Sequence, residues 1–349
     1  MLLWDGFGLQ STYTGIGRYA LELAEGLELL DQEPMILPSV PALDPVFERW
    51  QAALPAFTWG RIKPLSLLAA QNQATTLTRG KPGPHIFHGL SNYNIPNLPK
   101  EFRKVLTVHD LIPFLTKDAV SRSLRLYMRY QFPRAVAAAD RIVCVSQWSA
   151  DHVLERYPEA RAKVSVIYNG RPALFERRQG GANRKMRLFS LCRSENYKRL
   201  TLIPEILAAL PDAFEWHVLT DSKGVELLKE HRRLIVHTAL SEKEVKAIWN
   251  RTQIFVHPSL WEGFCLPAST ALSYCIPTVF QGGSGIDEVI CKAGKRMEIS
   301  DSPAQWAAAI EELSHNSRAW QQRCREQWLT LPSWQEVARQ FQNLYDTLV

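Results

Sequence analysis

The chain has 349 residues, 46% apolar and 22% charged, with a formal net charge of +6. At ~100–200 residues per domain the length suggests two domains, and the apolar content excludes disorder for the bulk of the chain. No run of ~18 apolar residues occurs, so no membrane-spanning helix is expected.

The chain opens on an apolar run at 2–4, read as a strand. The start MLLWDGFG has no basic region and meets Asp5 almost at once, so no signal peptide is expected. A helical pattern covers 17–30, and strands are predicted at 35–37, 85–87, 105–109, 142–145 and 164–167. Residues 57–84 are polar and broken by Pro and Gly, and fit a loop or a short helix equally. A helix is predicted over 120–132. The stretch 177–185, RRQGGANRK, reads as a linker. Strands follow at 188–191, 216–219, 234–237, 254–257 and 278–280, with helical patterns at 241–250 and 266–274. The tail 334–349 is helical by pattern, with Val337, Phe341, Leu344 and Leu348 as its apolar residues. Most strand candidates are near-continuous apolar runs, as expected of parallel strands covered on both faces. Strand-then-helix repetition in both halves predicts two doubly wound α/β domains.

Six cysteines at 144, 192, 265, 275, 291 and 324 form no C-x-x-C pair. They read as reduced thiols, not as a disulfide framework or zinc site. Charge is uneven: residues 1–50 carry net −6, 51–178 net +11 and 179–349 net +1. The middle block would attract phosphate, nucleic acid or a membrane surface, although a solvated basic surface has the same composition. Arg122, Arg125 and Arg129 share one face of the predicted helix 120–132. That face is either solvated or turned to an anionic membrane.

Five motifs follow predicted strands. Thr14-Gly15-Ile16-Gly17 opens a helix, where backbone N–H groups favour an anion and glycine allows close approach; a tight turn needs the same residues. His109, at a strand end in TVHDLIP, can bond a substrate hydroxyl or be held by its own loop, while Asp110 caps the next turn. Arg193 and Lys198, in CRSENYK, place two cations at a strand mouth with Lys198 at a helix start; they can clamp a diphosphate or lie as surface charges. His257–Pro267, HPSLWEGFCLP, puts Glu262 and Gly263 in a loop before a helix begun by Pro267. The glycine loop 282–285 follows, either closing over the same ligand or serving as an ordinary connection. D-x-D, G-x-S-x-G and G-x-x-x-x-G-K-[ST] are absent, as is aromatic–basic interleaving of an RNA-binding kind.

These motifs, with VSQWSADHV, VIYNG and SWQEVARQFQNLYDTL, stand in an order that resembles family 4 (group 1) of the retaining glycosyltransferases, mannosyltransferase-like members above all. The resemblance spans almost the whole chain. It implies the α/β GT-B fold, two doubly wound Rossmann-like domains facing a cleft. Residues 1–178 would form the acceptor-side domain and 179–333 the nucleotide-sugar domain, with 334–349 a helix packing back on the first domain. It implies that Gly15 and Gly17 lie near the donor phosphates or acceptor, and that His109 touches the donor sugar. Arg193 and Lys198 would neutralise the leaving diphosphate, Glu262 would bind sugar hydroxyls, and Gly263, Phe264, Cys265 and Leu266 would offer backbone amides. Three positions depart from the family. Thr270 replaces the second glutamate expected eight positions after Glu262, Cys265 replaces glycine, and Arg199 replaces asparagine or glycine.

The expected activity is metal-independent, retaining transfer of a hexose, mannose favoured, from a nucleotide-diphospho sugar. GDP-mannose is favoured because of the HDLIP motif, and UDP-sugars stay open. The acceptor would be a glycan or lipid-linked sugar, in cell-surface polysaccharide or lipopolysaccharide synthesis. No metal, cofactor or nucleic acid is expected. The location would be cytoplasmic, or peripheral on the cytoplasmic face of the membrane. The alternatives are a nucleotide-sugar 2-epimerase on the same fold and a degenerate, non-catalytic partner subunit.

Overall fold

A computed structural model describes residues 1–59, 62–117, 119–175, 185–228 and 231–349. The chain divides into two compact units. The first holds Met1–Phe114, Ser121–Gly170 and Pro332–Val349, and the second holds Leu115–Val120 and Arg171–Leu331. The linker predicted at 177–185, Lys185 apart, lies outside the described residues, as does the predicted change of domain between 178 and 179.

The first unit contains the strands β1 (Leu2–Asp5), β2 (Met35–Leu37), β3 (His85–Gly89), β4 (Phe102–Val108), β5 (Arg141–Cys144) and β6 (Val164–Val166). They form one sheet in the order β2-β1-β3-β4-β5-β6, every pair parallel. The second unit contains β7 (Met186–Leu191), β8 (Phe214–Leu219), β9 (Leu234–His237), β10 (Ile254–His257), β11 (Thr278–Gln281) and β12 (Gly294–Met297), ordered β12-β11-β10-β7-β8-β9 and again parallel. The order reverses beside β1 in one sheet and β7 in the other. Loops leaving the carboxyl ends of strands near such a reversal are where open α/β sheets hold ligands.

Strand β12 was not expected from its sequence, GKRM, which has no apolar run. It forms because Gly294 lies against Thr278 of β11; a β-carbon there would stand 2.1 Å from the Thr278 carbonyl oxygen. The segment 57–84, open between loop and helix, contains the helix Lys63–Thr78. Its buried residues are small (Ser66, Ala69, Ala70, Ala74, Thr78), so its inward face carries little hydrophobic signal. The helix predicted over 120–132 is Arg122–Ala138, capped by Ser121 and running through Pro133.

The C-terminal helix Trp334–Asp346 starts with a capping box between Ser333 and Glu336 and buries Val337, Ala338, Phe341 and Tyr345. Val337 and Phe341 match the expected apolar face, but Tyr345 is buried where Leu344 and Leu348 were expected. It lies along the helix Gly15–Glu28, close enough that a β-carbon on Gly26 would meet that of Ala338 at 2.8 Å. Tyr345 then reaches into the sheet. Its hydroxyl bonds His88 Nδ1 at 2.7 Å, His88 Nε2 bonds the Thr107 hydroxyl at 2.7 Å, and Thr107 bonds the Tyr19 hydroxyl at 3.3 Å. Each of these four residues is at most 1% exposed, so the chain of bonds replaces water that cannot enter.

Tyr345→Phe keeps the ring and leaves His88 Nδ1 without a partner. It should cost about 1–3 kcal/mol in urea unfolding, the cost of an unsatisfied buried polar group.

Candidate functional site

The second unit gathers chemistry where β7 and β10 end. His257 closes β10 and is 2% exposed. The loop after it carries Glu262, whose Oε1 lies 2.6 Å from both His257 Nε2 and Lys198 Nζ. Lys198 comes from the loop after β7, and Tyr197 locks the two loops together by accepting the Leu260 N–H at 2.8 Å. Lys198 does not begin a regular helix, as had been expected. It ends a single tight turn, Asn196–Lys198, and the next helix is Leu202–Ala209. Arg199 leaves that turn in the left-handed region (φ 51°), and its guanidinium donates to Gln281 Oε1 at 2.8 Å. Asparagine or glycine in the resembled family suits that backbone better than arginine.

Burial alone would raise the Glu262 carboxyl. The Lys198 and His257 charges outweigh it and hold the carboxyl well below the usual carboxylate range. Burial would likewise lower Lys198, and Glu262 holds it well above its ordinary value. The pair is therefore ionised on both sides at neutral pH.

The remaining expected residues separate. Arg193 is 68% exposed and sits beside Glu195 at 3.3 Å and Asp221 at 3.8 Å, outside the Lys198–Glu262 pair. Cys265 is buried in the left-handed region (φ 75°) and heads the helix Leu266–Ser273, accepting the Ala268 and Ser269 N–H groups. Thr270 spends its hydroxyl on the Leu266 carbonyl at 3.0 Å, within its own helix. Gly263 and Phe264 are buried just ahead of that helix. The glycine loop fits against them. Gly285 donates to the Glu262 carbonyl at 2.9 Å, and a β-carbon there would stand 2.0 Å from the Gly263 carbonyl oxygen.

His257, Glu262 and Cys265 bring ligand-type atoms within 4.8 Å of one another. The donor set argues against an ion, because the Lys198 ammonium already neutralises the carboxylate. Burial, then the Glu262 charge, pushes the Cys265 thiol far above its ordinary value, so the protein by itself holds that sulfur as a thiol.

The first unit holds the other expected residues. His109 is the first residue beyond β4. Its N–H donates to Asn92 Oδ1 at 2.7 Å, and its Nε2 donates to the Leu90 carbonyl at 2.9 Å. The carbonyl fixes the tautomer and leaves Nδ1 as the acceptor. Burial lowers the imidazole to about 4, so the ring is neutral at pH 7. Tyr19 stands edge-on against it at 4.9 Å. Asp110 caps the following turn through the Ile112 N–H, as expected. The two glycines of the first loop differ. A β-carbon on Gly17 would meet the Ser11 carbonyl oxygen at 2.1 Å, so the turn requires glycine there. Gly15 has open space around its Cα. Arg122 and Arg129 are exposed and Arg125 is half-buried, beside Leu126 and Tyr130, which are 60% and 58% exposed.

His257 and Tyr19 were not picked out from the sequence. His257 carries the same signal as His109, a histidine ending a buried apolar run. Tyr19 looked like any apolar residue of an amphipathic helix.

Two family models match the chain: "Glycosyltransferase Family 4" over residues 13–172 and "Glycosyl transferases group 1" over residues 220–328. The chain is 23% identical to O-antigen chain mannosyltransferase B of Escherichia coli, over 96% of each chain. Among solved structures it is similar to sucrose-phosphate synthase from Thermosynechococcus elongatus, with a TM-score of 0.76, 15% identity, and coverage of 99% of this chain and 98% of that one. It is also similar to Anabaena HepE in complex with UDP-glucose, with a TM-score of 0.74, 14% identity and 99% of both chains covered.

Glu262→Gln would leave the Lys198 ammonium buried without its counter-charge. Chemical denaturation at pH 7 should show a loss of about 3–5 kcal/mol, the usual cost of breaking one side of a buried pair.

Proposed function

This chain belongs to the family 4, group 1 glycosyltransferases and has the GT-B fold, and from that premise we propose a retaining, metal-independent transfer of a hexose from a nucleotide-diphospho sugar. Mannose is the favoured sugar and GDP-mannose the favoured donor. The acceptor is a glycan or lipid-linked sugar of a cell-surface polysaccharide such as an O-antigen. The E. coli relative, a mannosyltransferase by name, supports the sugar and the pathway. The UDP-glucose complex of HepE supports a nucleotide-sugar donor and keeps UDP open as the nucleotide.

The observation that carries the reading is the largely buried Lys198–Glu262 pair, 15% and 13% exposed, at the ends of β7 and β10. An ammonium has three N–H groups, and Glu262 engages one of them. The others remain to donate to a diphosphate. As the bond between the anomeric carbon and the phosphate oxygen breaks, negative charge grows on the leaving diphosphate. A preorganised cation stabilises that charge most where water is excluded. Arg193, exposed and loosely paired, supplies a second cation that can swing onto the outer phosphate. The acceptor hydroxyl attacks from the face the diphosphate leaves, and its proton passes to the departing phosphate oxygen. His109, neutral with Nδ1 as acceptor, takes a hydrogen bond from a hydroxyl of the donor sugar. The carboxyl side of Glu262 not used by Lys198 does the same. Gly15 and the backbone at Gly263–Leu266 approach the phosphates, while Thr270 lacks the carboxylate that would grip a ribose.

Arg122, Arg125 and Arg129, with exposed Leu126 and Tyr130, would meet an anionic membrane that carries the acceptor. Each basic residue near such a surface is worth about 1 kcal/mol, enough for loose, reversible attachment on the cytoplasmic face.

The test is turnover of GDP-mannose and UDP-sugars with and without a glycan acceptor. Product from nucleotide sugar alone would point to epimerisation instead. With the donor that works, Lys198→Ala and Arg193→Ala should each lower kcat at least a hundredfold, a loss of about 3 kcal/mol of charge stabilisation. Excess chelator should leave the rate unchanged. Rates near wild type in both variants, or activity restored only by magnesium or manganese, would end this reading. On liposomes, binding should need anionic lipid and weaken with salt. It should also fall in the triple Arg→Gln variant at 122, 125 and 129; indifference to anionic lipid at low salt would make the basic face a solvated surface.

A further inference from the structure

Asp5 ends β1 and is 1% exposed, yet the transfer chemistry makes no use of it. Its Oδ1 accepts from the Phe7 N–H at 2.8 Å and from Asn94 Nδ2 at 2.9 Å, and its Oδ2 accepts from the Leu90 N–H at 3.4 Å. Phe7 begins the loop that leads to Gly15. Leu90 and Asn94 belong to the loop after β3. The Leu90 carbonyl is the group that accepts from His109 Nε2. One carboxylate thus holds two loops at the strand ends and reaches the histidine ring through a single residue. Among the described residues no cation shifts Asp5, and burying a carboxylate on hydrogen bonds alone is costly, so its place here requires a return.

We propose that Asp5 is a positioning residue: as a carboxylate it fixes Leu90, and through the Leu90 carbonyl it holds His109 in the tautomer that presents Nδ1. The proposal rests on the role given to His109 above. Burial pushes the Asp5 carboxyl up to about 7, against the hydrogen bonds from Asn94, Phe7 and Leu90. A protonated carboxyl carries its hydrogen on one oxygen. Oδ2, with its single long contact, gives up least by taking it, and the Leu90 N–H then faces a donor. Among the described residues near Asp5, two tyrosines, His109 and Lys63 titrate elsewhere. Tyr93 and Tyr127 are raised by burial, Tyr127 to about 12, and His109 is lowered to about 4. Lys63, whose ammonium bonds the Tyr93 hydroxyl and lies over the Phe7 ring, is lowered to about 8. Asp110 is engaged with the Ile112 N–H. A limb of activity that rises with pH near 7 therefore belongs to Asp5, while loss of the Lys63 charge would give a limb at higher pH. The native state also keeps a proton that the unfolded chain releases near pH 4. Stability should then fall as pH rises from about 4 to about 7.

The experiment measures kcat and KM from pH 5.5 to 8.5 for the wild type, Asp5→Asn and Asn94→Ala, together with 15N spectra of the histidine rings. In wild type, kcat should rise through pH 7, and His109 should settle into its Nε2–H tautomer over the same range. Asp5→Asn mimics the protonated acid at every pH. Its kcat at pH 8 should be about tenfold lower, as for other residues that orient a functional histidine, and flat through pH 7. Its His109 signals should stay mixed. Asn94→Ala, which removes a donor to the carboxylate, should move both transitions to higher pH, and it decides the matter if Asp5→Asn does not fold. Wild-type His109 signals and an unmoved limb in both variants would overturn the proposal. The spectra do not depend on turnover. Full activity of His109→Ala would therefore remove the catalytic role of His109 while leaving the role of Asp5 to the spectra.

Discussion

A carboxylate taken out of water needs a partner inside the fold, a counter-charge or a set of hydrogen-bond donors. Glu262 finds it in Lys198, 2.6 Å away, with His257 on the same oxygen. The pair joins the loop after β7 to the loop after β10, two strands that are neighbours in the sheet. The loop after β11 is attached in turn, because Gly285 bonds the Glu262 carbonyl and leaves no room for a side chain. Three strand-end loops are thus assembled around one ion pair. Such a pair contributes little net stability compared with an apolar core, since desolvation offsets the attraction. Its consequence is a largely desolvated ammonium held in a fixed place at the strand ends, the kind of group that stabilises developing negative charge best.

The first unit manages polarity differently. Besides Asp5, its strand ends carry neutral groups fixed by backbone atoms: His109 by the Leu90 carbonyl, Asn92 by the His109 N–H and the Asp110 carbonyl. Behind them the Tyr345–His88–Thr107–Tyr19 chain ties the C-terminal helix to the residue whose ring packs on His109. The last helix of the chain therefore belongs physically to the first sheet. Its role in the site is indirect, through the placement of Tyr19.

The departures from the resembled family are uneven in consequence. Cys265 and Arg199 both occupy left-handed backbone that glycine would adopt without strain, and both do so within the loops that carry Lys198 and Glu262. The fold tolerates them because neighbouring bonds, such as Arg199 to Gln281, hold these turns. Thr270 changes chemistry more than shape, since its hydroxyl is satisfied within its own helix.

Much of this architecture was legible in the sequence. Short, mostly apolar runs of three to five residues mark parallel strands whatever their partners, because both faces must be buried. Eleven such runs correspond to strands of the two sheets. Motif order was equally readable: it carried the family and the fold, and it singled out Lys198 and Glu262, which the structure brings together as an ion pair. Other features depend on which surfaces meet. GKRM becomes β12 only because Gly294 can lie against Thr278, and the helix Lys63–Thr78 buries residues too small to announce a core face. Arg193 and Lys198 look alike as cations five residues apart, yet one stands in solvent and the other on a buried carboxylate. The sequence determined that two doubly wound sheets would present these residues on strand-end loops. Only the tertiary structure decided which of them are desolvated and paired, because burial and partnership are set by atoms distant in the chain, and together these set charge and tautomer.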